Sequence, residues 1–207
     1  MNITIIAFGD SLTFGYQSPT PENPSPPVTP YMDALKRRLE EALRGREKPV
    51  RISILNRGVC GDLTRDMLLR FRGDVLEVEP DFTIVLGGAN DIGWGVSPSE
   101  IFRNLREMYD AALNEEIGVV TCRVPSILGS DLLIPPRIEL NTKIKEYSRE
   151  RSLPCVNLFD ATSDPKTKRL LPEYSNDGLH LSTEGYKRMG EEIFEAAGSW
   201  ILGKADL

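Results

Sequence analysis

Asn2-Ile3-Thr4-Ile5-Ile6-Ala7-Phe8 runs directly into Gly9-Asp10-Ser11-Leu12-Thr13. The first part is rich in β-branched side chains and ends at a glycine, which reads as a strand followed by a turn. The same kind of run recurs at Arg51 to Asn56, Asp81 to Leu86 and Ile117 to Cys122. Leu153 to Leu158 is a fifth and weaker strand, because Pro154 cannot donate to a ladder. Between these runs, apolar residues fall at helical spacing: Tyr31, Leu35, Leu39 and Leu43; Ile101, Leu105, Met108 and Ala112; and Tyr186, Met189, Ile193, Ala197, Trp200 and Ile201. A further helix is expected near Ile138 to Tyr147. Ser97, followed by Pro98, and Ser182 read as helix caps. Strands alternating with helical crossovers predict an α/β fold with a parallel sheet covered on both faces. One domain is expected over residues 1–207.

The composition sets outer bounds. Hydrophobic residues make up 40% and charged residues 27% of the 207-residue chain, as in ordinary globular proteins. A net charge of −6 argues against nucleic acid or an anionic membrane as the main partner. No segment approaches the roughly 18 apolar residues of a membrane span. The three cysteines, Cys60, Cys122 and Cys155, are widely separated and have no metal-ligand spacing. They fit a reducing compartment. The N-terminal run lacks the pattern of a secretory signal, so a cytoplasmic location is expected. One biased stretch, Ser18 to Pro30, carries six prolines and reads as an extended loop near the carboxyl end of the first strand.

Four segments that follow strands or precede the last helix carry chemistry. Ser11 stands where the chain leaves the first strand, at the sheet edge where ligands of α/β proteins collect. Asn56-Arg57-Gly58-Val59-Cys60-Gly61-Asp62 offers glycine N–H groups after the second strand. Gly87-Gly88-Ala89-Asn90-Asp91 follows the third, and Asn90 has an amide able to donate to an oxyanion. Asp177-Gly178-Leu179-His180 holds the sole histidine three residues after a carboxylate. Each segment also has a simpler reading: Ser11 and Asp62 as helix caps, the glycines and Asn90 as turn residues, and His180 as a surface side chain. Taken together, they supply a nucleophile, a base, a group to orient the base and oxyanion donors, as acyl transfer requires. In a serine hydrolase, His180 would be the base by elimination, with Asp177 beside it.

The order and wording of these segments resemble the GDSL branch of the SGNH hydrolase family. Phe8-Gly9-Asp10-Ser11-Leu12-Thr13-x-Gly15 is similar to the first family block, Gly61-Asp62-x-Thr64 to the second, Gly88-Ala89-Asn90-Asp91 to the third and Asp177-x-x-His180 to the last. The resemblance implies a flavodoxin-like, three-layer α/β/α sandwich with a sheet of about five strands, a broad shallow site, no required cofactor and no metal. It makes Ser11 the nucleophile, Asp177 and His180 its partners, and Ser11, Gly61 and Asn90 the oxyanion donors, with Gly58 in reserve. Asp10 and Asp91 are expected to be structural. The proline-rich stretch departs from the pattern.

The expected activity is hydrolysis of small-molecule carboxylic esters, or thioesters, with short to medium acyl groups. A carbohydrate O-acetylesterase is the alternative within the same family. A flavodoxin-like binding module is the rival from another class, but it lacks phosphate-loop and dinucleotide motifs and leaves the Asp–His pair unexplained. A metal-dependent hydrolase is disfavoured by the single histidine. The proline-rich stretch and the apolar residues of Arg123 to Pro136 are the candidate walls of an acyl pocket.

Overall fold

In the computed structural model, which describes residues 1–45 and 49–203, the strands are β1 (Asn2–Gly9), β2 (Arg51–Gly58), β3 (Phe82–Leu86), β4 (Gly118–Cys122) and β5 (Cys155–Val156). They form one parallel sheet in the order β2-β1-β3-β4-β5. The helices are α1 (Ser11–Phe14), α2 (Met32–Ala42), α3 (Thr64–Asp74), α4 (Ala89–Gly93), α5 (Pro98–Asn114), α6 (Ile134–Glu150), α7 (Leu158–Thr162) and α8 (Thr183–Gly203). α2 packs on α8, while α3, α5 and α6 pack in a row, so helices cover both faces of the sheet. Burial on two sides explains the apolar strands: Ile3, Ile5, Ile6, Ala7 and Phe8 of β1 and all of β3 are buried. This is the expected α/β/α sandwich with flavodoxin-like strand order.

Local expectations hold at the caps. Ser97 Oγ accepts from Glu100 N at 3.2 Å with Pro98 in the first turn of α5, and Ser182 Oγ accepts from Gly185 N at 3.2 Å at the start of α8. Two boundaries differ from the sequence reading. α6 begins at Ile134, because Pro135 and Pro136 occupy its first turn, where a missing N–H costs nothing. β5 is reduced to Cys155–Val156; Pro154 contributes only its carbonyl, which accepts from Thr121 N at 3.0 Å. Among the described residues, no helix is long and apolar enough to cross a membrane.

The order β2-β1-β3 makes the β1/β3 boundary the switch point, where successive crossovers leave in opposite directions and open a crevice beyond the strand ends. The segments that begin at Asp10 and Gly87 leave the sheet there. Asp10 itself is buried, caps α1 and accepts from Leu12 N at 2.9 Å. Burial pushes its carboxyl from 3.8 up to about 7; the Leu12 hydrogen bond opposes this, and the charges of Asp91 and Asp62 add to it.

The folded value thus lies above the unfolded one. Unfolding then releases a proton between about pH 4 and pH 7, so this group lowers stability as pH rises through that window. Asn at this position keeps the cap acceptor and removes the charge. Asp10→Asn is expected to stabilise the fold by about 2–3 kcal/mol more at pH 8 than at pH 5. Urea unfolding of both proteins at both pH values measures the difference. An equal effect at both would show that Asp10 ionises as freely as in the unfolded chain.

Candidate active site

Ser11 opens α1, but it does not cap it. Asp10 is the cap, and among the described residues Ser11 Oγ has no hydrogen-bond partner. The turn closes at Gly15, whose N–H donates to Ser11 O at 3.0 Å. It rests on the end of β2: a Cβ on Gly58 would stand 2.2 Å from Phe14 N, closer than any side chain permits. Gly58 therefore serves close packing, and its N–H is taken by Asn56 Oδ1 at 2.9 Å.

Gly61 differs in both respects. Its φ is 85°, a Cβ there would meet nothing within 4 Å, and among the described residues its N–H has no partner. Asp62 does not cap α3; its carboxylate accepts from Arg70 Nε at 2.7 Å, and Leu63 is the cap residue. Asn90, in the first turn of α4, donates from Nδ2 to Asp62 O at 2.9 Å and so sits against the Gly61 loop with its second amide hydrogen free. Asp91 ties the same two segments from below. Its Oδ1 accepts from Thr64 Oγ1 at 2.6 Å and from Thr64 N at 3.1 Å, while Oδ2 lies 3.0 Å from that same N. Asp10 and Asp91 thus do structural work, as expected.

The Asp177 to His180 loop folds back on itself. Asp177 Oδ1 accepts from Leu179 N at 2.8 Å and His180 N at 2.6 Å, while Gly178 turns the chain at φ 85°. Asp177 Oδ2 lies 2.7 Å from His180 Nδ1. With the carboxylate ionised, Nδ1 carries the proton and Nε2 is the acceptor. Burial alone would raise the Asp177 carboxyl; the hydrogen bonds from Ser18, His180 and the Leu179 and His180 backbone outweigh it and hold the group below its ordinary value.

Residues that sequence reading passed over join this loop to the Ser11 turn. Tyr16 donates its N–H to Ser11 O at 3.1 Å and sets its ring edge-on to His180, with centroids 4.7 Å apart. Tyr186 of α8 donates its hydroxyl to Tyr16 O at 2.6 Å. Ser18 Oγ donates to Asp177 Oδ2 at 2.5 Å and stands 3.5 Å from His180 Nδ1. The one available hint was the position of Ser18 at the head of the proline-rich stretch.

That stretch is pinned at its base by Gln17, whose Nε2 donates to Pro27 O at 3.1 Å and Thr183 Oγ1 at 3.0 Å, and whose Oε1 accepts from Asn176 Nδ2 at 3.2 Å. The other candidate wall, Arg123 to Pro136, is largely turned inward. Val124, Ile127 and Ile134 are buried, the latter two packed with Phe159, whereas Leu132 is 86% exposed.

A serine hydroxyl without a partner, an imidazole fixed by a carboxylate and free N–H donors are the elements of nucleophilic acyl transfer. Known proteins agree with this chemistry. Residues 7–188 match the model of the GDSL-like lipase/acylhydrolase family. An arylesterase of Vibrio mimicus is 28% identical over 195 residues, covering 91% of this chain and 85% of that protein. The crystal structure of a lipase/acylhydrolase from Enterococcus faecalis has a TM-score of 0.73 at 28% identity and covers 96% of both chains. An acetylxylan esterase from Geobacillus stearothermophilus, solved as a catalytic mutant, shares the fold with a TM-score of 0.76 at 19% identity, over 95% of this chain and 94% of that one. A match that spans every segment from the Ser11 turn to the Asp–His loop places the chain in the GDSL-like lipase/acylhydrolase family, as an ester hydrolase.

Proposed function

We propose that this single catalytic domain is a serine esterase acting on carboxylic esters with short to medium acyl groups, through an acyl-enzyme on Ser11. The observation that carries the reading is the 2.7 Å contact between His180 Nδ1 and Asp177 Oδ2, in a loop held against the Ser11 turn by Tyr16 and Ser18. Ser11 Oγ attacks the ester carbonyl while His180 Nε2 takes its proton. Asp177 steadies the imidazolium that forms. The oxyanion is held by the N–H groups of Ser11 and Gly61 and by Asn90 Nδ2. His180 then returns the proton to the leaving alcohol and activates the water that frees the acid.

Exposed apolar side chains support an acyl or aryl ester. Phe14, Val59 and Trp94 stand on the segments that carry Ser11, Gly61 and Asn90, and Trp94 is 80% exposed. The arylesterase relative points the same way. Each buried methylene adds only about 0.8 kcal/mol, so preference among neighbouring chain lengths should be shallow. Thioesters fit the same chemistry. Sugar O-acetyl esters are the second reading, favoured by the acetylxylan esterase of like fold. The free cysteines Cys60, Cys122 and Cys155 fit a cytoplasmic setting.

Wild-type protein should hydrolyse p-nitrophenyl acyl esters from acetyl to octanoyl and take one fluorophosphonate adduct by intact mass. Ser11→Ala should do neither. An adduct of equal yield on Ser11→Ala would remove Ser11 as nucleophile, and turnover confined to acetyl esters would favour the sugar-ester reading.

Asn90→Ala should lower kcat by about 10²–10³ with little change in KM, because an oxyanion donor acts on charge that develops in the transition state. Steady-state kinetics alongside a thermal melt separate this from a structural role, in which stability would fall and turnover per folded molecule would not.

Ser18 shares Asp177 Oδ2 with His180 and so helps hold the carboxylate in place. Ser18→Ala should therefore lower kcat/KM, and Ser18→Thr, which keeps the hydroxyl, should recover most of the loss. An unchanged kcat/KM in Ser18→Ala would remove Ser18 from the positioning of the Asp–His pair.

A further inference from the structure

Away from the Ser11 edge, α6 and α7 part to leave a cleft of about 340 Å³. Small-molecule sites usually span about 300–1,000 Å³, so the cleft can take a compact ligand and not a polymer. Its wall carries four cations, Arg123, Lys145, Arg149 and Lys168, against two acids, Asp160 and Glu146. On a chain of net charge −6 this is a local reversal of sign. Ile138 and Phe159 add an apolar side.

Two of the four cations share one acid, Asp160, and the other two are not spent on the protein's own acids. Lys145 and Arg149 lie one turn apart on α6, are exposed and, among the described residues, make no ion pair. Asp160 is served first by Asn157 Nδ2 at 2.8 Å, and it meets Arg123 Nη2 and Lys168 Nζ only at 3.5 and 3.7 Å. Arg123 Nε is buried without a hydrogen-bond partner, an arrangement that favours an incoming acceptor. The wall is also firm. Asn141 clamps α6 to the exit of β4, its Oδ1 accepting from Val124 N at 2.7 Å and its Nδ2 donating to Val124 O at 2.9 Å.

We propose that this cleft binds a phosphate monoester with a small, partly apolar organic group. The dianion matches an excess of two positive charges, the guanidinium groups of Arg123 and Arg149 suit a planar two-point grip on phosphate oxygens, and Ile138 and Phe159 receive the organic part. The site shares no residue with the ester-hydrolysis assignment and stands or falls apart from it.

Phenyl phosphate is the probe, titrated by calorimetry into full-length protein in chloride buffer of matched ionic strength. The expected result is saturable binding at one site per chain, competed by inorganic phosphate. Lys145→Ala/Arg149→Ala removes two exposed side chains and leaves the core intact. It should weaken binding by about ten-fold or more, as lost charge-assisted contacts predict. Lys36→Ala/Arg37→Ala on α2, which packs on α8, should leave binding unchanged. Absence of saturable binding would overturn the proposal, as would equal affinity in the α6 variant or an equal loss in the α2 variant. Displacement of phenyl phosphate by a fluorophosphonate label on the protein would place it in the ester site instead and would overturn the proposal as well.

Discussion

At the carboxyl end of the sheet, Arg70 of α3 ties two strand ends together. Its Nη2 donates to Gly9 O at 2.9 Å and its Nη1 to Arg57 O at 3.1 Å, so one guanidinium holds the ends of β1 and β2. The same group is paired with Asp62 and Asp74, each at 2.7 Å, and lies 4.2 Å from the centre of the Phe8 ring. Through Asp62 it reaches the Gly61 loop, and through Asp62 O that loop reaches Asn90. The end of β1 that leads into the Ser11 turn, the Gly61 loop and Asn90 are therefore braced from a single partly buried cation. Its charge is compensated on both sides, which is the condition for a charge to be tolerated there.

Asp10, Asp91 and Asp177 each stand in one of the segments that match the family, and their surroundings set them apart. Asp10 is adjacent to Ser11 in sequence, yet it is sealed in the core with one oxygen unpartnered and its proton held to about pH 7. Asp91 is raised as well: burial dominates, although Thr64 satisfies both oxygens. Asp177 alone of the three has enough donors around it to fall below the ordinary value, so it carries charge across the neutral range. Of these three, Asp177 is the one that contacts His180.

Much of this was legible in the chain itself. The strands from Asn2, Asp81 and Ile117 announced themselves by β-branched runs, because burial on both faces selects apolar side chains, and the edge strand from Arg51 by Ile52, Ile54 and Leu55, although only Ile52 is buried. The Asp–x–x–His spacing was readable because an Asx turn closes over that distance whatever surrounds it. What escaped was tertiary. Ser18, Tyr16 and Tyr186 meet His180 or its support only after the segment following α1 has packed on α8 and the Asn176 loop, and no local pattern encodes that meeting. Arg70 carries no local signal that distinguishes it from the other charges of α3. Leu133 and Ile134 read as part of a pocket wall because Pro135 and Pro136 hid a helix start.

The hydrogen bonds of Gln17 have an evolutionary corollary. By holding Pro27, Thr183 and Asn176 at once, this amide seals the foot of the proline-rich loop immediately before Ser18. The bend beyond it, from Thr20 to Pro26, makes its own closing contacts between Thr20 and Asn23. A seam of this kind separates two rates of change. Residues above it are free to lengthen, shorten or exchange side chains, since extending a closed surface loop costs little entropy. Residues below it hold the segment that leads into the Asp177 loop. Such a chain can drift in what it admits to its catalytic edge while the machinery beneath is inherited intact.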